Sequence, residues 1–259
     1  MSNFLMLVHN ENMKIYRRVR TWVMLGIIIV MSILIPYLLS STGGGDSTYY
    51  WEGAMLTVSF ISFLNTIFAV VIAADSVAGE FSWGTIKLLL IRPWTRSKIL
   101  ASKYVSVLLF SLLTTLLMTG LSLLTSSILM STEAVVSQMP GNYTPAGYAL
   151  ISWLYEYVDL FITLAIAFMV STVFRSGALA IGLSLFILFT QGIFGLIFDP
   201  ERYSWAKYIL FTNMDLSQYM FGSGDSVMSL GFSITILAVY YVLFMGIAWY
   251  VFHKRDVAA

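Results

Sequence analysis

Glu156 and Asp159 are three residues apart, so on a helix they share one face. They stand in a long apolar run, Ala149–Phe174. A carboxylate at the centre of a bilayer costs roughly 2.5–3.5 kcal/mol on insertion scales and marks a functional position by default. Depth decides how far that argument reaches. At 1.5 Å per residue the run is about 39 Å long, against a hydrocarbon core of roughly 30 Å. Counting about 20 residues back from Arg175 puts Glu156 at the outer edge and Asp159 less than one turn deeper. Two roles stay open: a pathway or gate, or an outward, solvated or capping position.

The other reactive types are sparse. The chain has no cysteine, so it offers no disulfide, thiol nucleophile or thiolate metal site. Its two histidines, His9 and His253, lie near opposite ends, which argues against a histidine metal centre. Serine and threonine are abundant, but no histidine or paired carboxylate is placed to activate one in a loop. A G-x-x-x-x-G-K-[ST] phosphate loop is absent, so ATP hydrolysis through that motif is excluded. The chain is expected not to be an enzyme, and to carry no cofactor of its own.

The remaining charged segment is Asp75 to Lys98, containing Glu80, Phe81, Trp83, Gly84, Thr85, Lys87, Leu89, Arg92, Pro93 and Arg96. Ile86, Leu89 and Leu90 follow helical spacing, and a residue before proline avoids the α region, so a short helix is expected from about Phe81 to Ile91. Thr95 then caps the helix that follows. An apolar-faced helix ringed by Lys87, Arg92 and Arg96 needs a cover. Lipid headgroups would serve, and so would a protein with a groove for it. Glu80 by itself also reads as a helix cap at headgroup level.

The elements that position these residues follow from composition. Of 259 residues, 59% are hydrophobic and 10% charged, where a soluble domain carries roughly 25% charged residues. The net charge of +1 gives no field for nucleic acid. Six spans are expected, all helical: Trp22–Ser41, Ala54–Ala74, Tyr104–Met130, Ala149–Phe174, Gly177–Phe198 and Val227–Phe252. Alternating strands of about 10 residues, the mark of a membrane barrel, are missing. The whole chain, 1–259, reads as one transmembrane domain.

With the N-terminus cytoplasmic, the inner side holds Lys14, Arg17, Arg18, Arg20, Lys87, Arg92, Arg96, Lys98, Lys103, Arg175, Lys254 and Arg255, and the outer side Arg202 and Lys207. That division, 12 against 2, places both termini inside. The leader has no A-x-A-like cleavage site and reads as an uncleaved anchor.

Residues 1–20 put Phe4, Val8, Ile15 and Val19 near one helical face, which fits a helix lying on the inner surface with its cations towards lipid phosphates. A disordered basic leader is the plainer alternative. In the outer connection 199–226, Asp199-Pro200 reads as the start of one helix carrying Trp205, Tyr208 and Ile209. Thr212 to Asp215 reads as a capping box for a second, ended by Gly222. These helices either dip into the bundle or rest on headgroups. Ala178 and Gly182 form a small-xxx-small pair suited to close helix packing. Asn142-Tyr-Thr144 matches a glycosylation sequon that has no meaning in a bacterium.

Glu80, Gly84-Thr85, Leu89, Pro93, Arg96, Lys98 and Lys103, set between the second and third of six spans, resemble the membrane subunits of type-2 ATP-binding-cassette exporters. Glu11, Lys14, Arg18 and Trp22 are spaced as in that family's N-terminal surface helix, and Trp205 to Asp215 is a weaker match to its outer loop. The resemblance implies a coupling helix formed by residues 80–92, with Glu80, Phe81, Trp83, Gly84, Thr85, Lys87, Leu89, Pro93 and Arg96 facing a separate ATPase that holds ATP and magnesium. It implies a second permease subunit, identical or not, and export of a peptide, lipid or drug across a bacterial cytoplasmic membrane, with a role in antimicrobial peptide resistance among the family's uses. An ion-coupled secondary transporter and a non-transporting scaffold or sensor are the competing expectations.

Overall fold

The computed structural model describes residues 2–44, 49–85, 94–131, 143–200, 202–221 and 228–254. Among these residues the chain folds into seven α-helices: α1 (Ser2–Tyr16), α2 (Val19–Leu39), α3 (Tyr50–Ser82), α4 (Arg96–Leu129), α5 (Pro145–Val173), α6 (Gly177–Ile197) and α7 (Leu230–Lys254). No strand occurs among them, only an isolated bridge between Tyr49 and Ser131. The six helices after α1 are each long and apolar enough to cross a bilayer. Their outer faces are apolar as well: only 11% of the most apolar window of α7, and 22% of that of α2, is buried inside the chain. Residues such as Phe186, Phe189, Val239 and Val242 stand exposed around the girth. Lipid accepts that surface; water does not.

Helix α3 is the axis of the bundle. Its run Ala69, Val70, Ala73, Ala74, Val77 and Ala78 is fully buried. Small side chains let neighbouring backbones come close, which is how helices pack where water supplies no hydrophobic drive. Phe110 of α4 and Leu160 and Leu164 of α5 fill one side, and Ile162, Ile166 and Ala180 the other. Ser171 of α5 accepts hydrogen bonds from the backbone N–H groups of Val77 and Ala78, both at 3.0 Å.

The second span extends beyond its expected limit at Ala74. Helix α3 continues through Asp75 and Glu80 to Ser82, because the cations that meet those carboxylates come from other helices of the same chain. Glu80 and Phe81 therefore form the last turn of α3 rather than the start of a separate short helix. Trp83, Gly84 and Thr85 make the turn that ends it, with Gly84 at φ +69°, a conformation glycine adopts without strain. The rest of the expected short helix, residues 86–91 with Lys87 and Leu89, lies outside the described residues, as do Arg92 and Pro93 after it. Thr95 occupies the N-cap position of α4, but its hydroxyl makes no capping bond.

In the 199–226 region the two expected helices are replaced by short 3-10 turns at Ala206–Tyr208, Phe211–Asn213 and Ser217–Phe221. Side chains take the carbonyls that a helix would use. Thr212 donates to Ala206 O and Ile209 O, and the Asn213 amide donates to Lys207 O and Ile209 O. Such local bonds compete with helix formation. Asp215, not Thr212, heads the last turn, accepting from the Ser217 N–H at 3.0 Å. Gly222 lies outside the described residues, as does Asn142 of the sequon; its Thr144 caps α5, accepting from the Gly147 N–H.

Ala178 and Gly182 do not pack within the chain: both are exposed, and nothing lies within 4 Å of a Cβ built on Gly182. The close approach of α6 to α3 runs instead through Gly177, where a Cβ would stand 3.2 Å from Asp75 Oδ1.

Candidate functional site

The basic end of the bundle collects charges from four helices. Helix α1 supplies Glu11 and Lys14, and Arg18 and Arg20 flank the start of α2. The last turns of α3 supply Asp75 and Glu80, and the second turn of α4 supplies Lys103. Leu7 and Val8 bury one face of α1, and Ser106 of α4 donates to Val8 O, so α1 is seated on the bundle rather than loose.

Lys103 Nζ lies 2.8 Å from Glu11 Oε2 and 3.1 Å from Glu80 Oε1. Lys14 Nζ lies 2.7 Å from Glu11 Oε1 and 2.8 Å from Glu80 Oε1. Two lysines and two carboxylates thus close a ring joining α1, α3 and α4. Lys103 is only 2% exposed and Glu11 6%. Charges so buried persist only when each is paired. Burial acts to lower the Lys14 pKa, but hydrogen bonding and charge from Glu11 and Glu80 prevail and raise it above its ordinary 10.5.

Beside the ring, Arg18 and Arg20 both engage Asp75 Oδ2. Asp75 sits in a space that only glycine leaves open, since a Cβ on Gly79 would stand 2.6 Å from its Oδ1. Thr85 donates to Glu80 Oε2, tying the exit turn to the ring. Ser82 accepts from the Gly177 N–H at 2.8 Å and so fixes the α5–α6 connection at the same place.

The expected coupling residues therefore divide. Glu80 and Thr85 belong to the charged network. Phe81 and Trp94 pack against the buried cluster that includes Phe252 and Val77, while Trp83 is 75% exposed, its ring 5.9 Å from the Arg18 guanidinium. Arg96 donates to the His253 carbonyl at 2.8 Å and closes the end of α7. Of the expected surface-helix residues, Glu11 is buried, and Lys14 and Arg18 pair with carboxylates of the chain.

Sequence reasoning passes over Asp75 and Arg20. The available signal was parity: the end of the second span returns to the side of a leader bearing four cations, so a carboxylate there meets them.

Glu156 and Asp159 lie far from this cluster, in α5. Glu156 stands about three turns inside α5, whose N-cap is Thr144. Both line a cavity of about 610 Å³ between α3, α5, α6 and the turns before α7, together with Asp215 and Gln191. The Glu156 Oε2 atom is buried, while the residue as a whole is half-buried.

Six apolar helices, a buried ionic cluster at one end and an acidic cavity elsewhere define a multi-pass α-helical membrane protein. The chain belongs to the family described as protein of unknown function DUF2705, matched over residues 21–258. It is similar to the uncharacterized protein YhcI of Bacillus subtilis (strain 168), with 32% identity across 97% of this chain and 99% of that protein. It is also similar to the uncharacterized membrane protein YdbK of the same organism, with 28% identity across 95% and 99%. The name of the second relative agrees with the six apolar helices.

Proposed function

We propose that this chain is the permease subunit of an ATP-driven exporter of the bacterial cytoplasmic membrane, with both termini cytoplasmic. Its motor is a separate cytosolic ATPase holding ATP and magnesium, and a second permease subunit completes the pathway. The cargo is an amphipathic or hydrophobic compound. The observation that carries this reading is the ring of Lys14, Glu11, Lys103 and Glu80. It locks the last turn of the central helix to α1 and α4, so a push on the Trp83–Thr85 turn moves three helices together. A handle needs such stiffness: a force applied to a free loop would be absorbed there. Trp83, largely exposed at that turn, is the side chain offered to the motor. ATP drives transport only if it binds the two pathway states with different affinity.

The test is affinity purification of the tagged full chain from detergent-solubilised membranes. A cytosolic ATPase co-purifies with the wild type and is lost on Trp83→Asp, a change at an exposed site outside the ion-pair ring. Purification of the chain without an ATPase, in both variants, would overturn the reading. Ion-coupled transport is the second reading, favoured by the carboxylates at the large cavity. Uptake or efflux in vesicles driven by a proton or sodium gradient without ATP would establish it.

A further inference from the structure

The 610 Å³ cavity has three carboxylates in its lining, Glu156, Asp159 and Asp215, and among the described residues neither a lysine nor an arginine. An acidic wall alone does not define a ligand. The second observation lies behind it. A smaller space of about 20 Å³, lined by Asn65 and Thr115, shares Ser62, Thr66 and Glu156 with the large cavity, so Glu156 faces both. Two oxygen acceptors lining the smaller space are buried with no hydrogen-bond partner among the described residues: Glu156 Oε2, in the wall shared with the large cavity, and Asn65 Oδ1, which lines the smaller space alone. Asn65 is 1% exposed, and its amide nitrogen is committed to Thr115 Oγ1 at 3.1 Å.

Both orphan atoms accept; what they lack is a donor. A buried acceptor left unpaired is costly, and a charged one more so, so the site suits something that donates. A compact metal ion fits poorly, since no group of three or more acidic or histidine side chains among the described residues converges to hold one. A protonated amine brings up to three N–H donors and the missing positive charge together. The volume falls in the range of roughly 300–1,000 Å³ typical of small-molecule sites. Phe63, Tyr155 and Phe211 give the cavity aromatic walls, which suit an apolar body and attract cations through their ring faces.

We infer that this cavity binds an amphipathic organic amine, its apolar body against the aromatic walls and its ammonium group at Glu156, where the cavity meets the smaller space lined by Asn65. As a binding site the inference stands on the cavity; as the class of cargo it rests on the permease reading. The two fail separately, because binding is measured on the chain alone, without an ATPase.

The probe is dansylcadaverine, a fluorescent primary amine with an aromatic body, added to the purified full chain in nanodiscs. Its N-acetyl derivative, equally apolar but neutral, is the control. Saturable binding of the amine is expected, with the acetylated form weaker by about tenfold or more, the scale of a charge-assisted hydrogen bond. Glu156→Gln should weaken the amine by a similar factor and leave the acetylated form unchanged, which separates charge recognition from misfolding. Asn65→Leu should weaken the amine as well. Equal binding of amine and acetylated probe, or amine binding unaffected by Glu156→Gln, would overturn the proposal. So would occupancy by sodium alone, seen as sodium-dependent thermal stabilisation in a protein that does not take up the amine.

Discussion

Lys103 Nζ stands 3.1 Å from Glu80 Oε1, and this contact joins the start of α4 to the last turn of α3. The same ammonium reaches Glu11 on α1, so one buried cation serves three helices. In the apolar setting of a bundle such a cation has no substitute from solvent.

Lys103→Met is expected to leave Glu11 and Glu80 facing each other with only Lys14 between them. Removing one member of a buried pair costs about 3–5 kcal/mol. Thermal unfolding in detergent should show a large loss for Lys103→Met and a smaller one for Lys103→Met combined with Glu11→Gln, since the double change removes the orphan charge too. Losses that simply add would show the ring does not act as a unit.

Gly79→Ala adds one methyl group and no charge, yet its Cβ would press on the Asp75 carboxylate held by Arg18 and Arg20. The expected outcome is faster tryptic cleavage after Arg17, Arg18 and Arg20, by about threefold or more, as the α1–α2 junction opens locally. Asp75→Asn should do the same, and the two together should do no more than either. Unchanged cleavage in Gly79→Ala would mean that Asp75 can turn aside without releasing the arginines.

Lys14 gives a pH signature outside the membrane spans. Its folded pKa lies above the ordinary 10.5. The folded protein therefore holds that proton more tightly than the unfolded chain. The resulting stability is fully present below about pH 10.5 and is lost as pH rises through the folded value. The difference in unfolding temperature between wild type and Lys14→Met should be constant from pH 7 to about pH 9.5 and shrink above it. A difference that grows with pH would contradict the sign.

Much of the architecture was legible in residue order. Runs such as Gly177–Phe198 announce a span because a bilayer allows no unpaired backbone and demands about 20 apolar residues. The structure ends that helix at Ile197, within a residue of the expectation. The helix of the second span runs on past Ala74 to Ser82, which hydropathy does not foresee because it treats Asp75 and Glu80 as water-seeking. Paired with Arg18, Arg20, Lys14 and Lys103, they remain helical. The turns after Asp199 were misjudged because Thr212 and Asn213 capture backbone carbonyls, a competition that spacing rules do not weigh.

For this protein the sequence alone determined that six helices lie in a membrane, since hydropathy is a property of consecutive residues. It also placed Glu156 and Asp159 on one helix face, by the helical period. Only the tertiary structure decided that Glu11, Glu80 and Lys103 form one ring, and that Asn65 and Glu156 share a wall. Those relations join residues separated by tens of positions. They depend on how the helices are rotated against one another, and that rotation is set by side-chain packing along the whole length of α3.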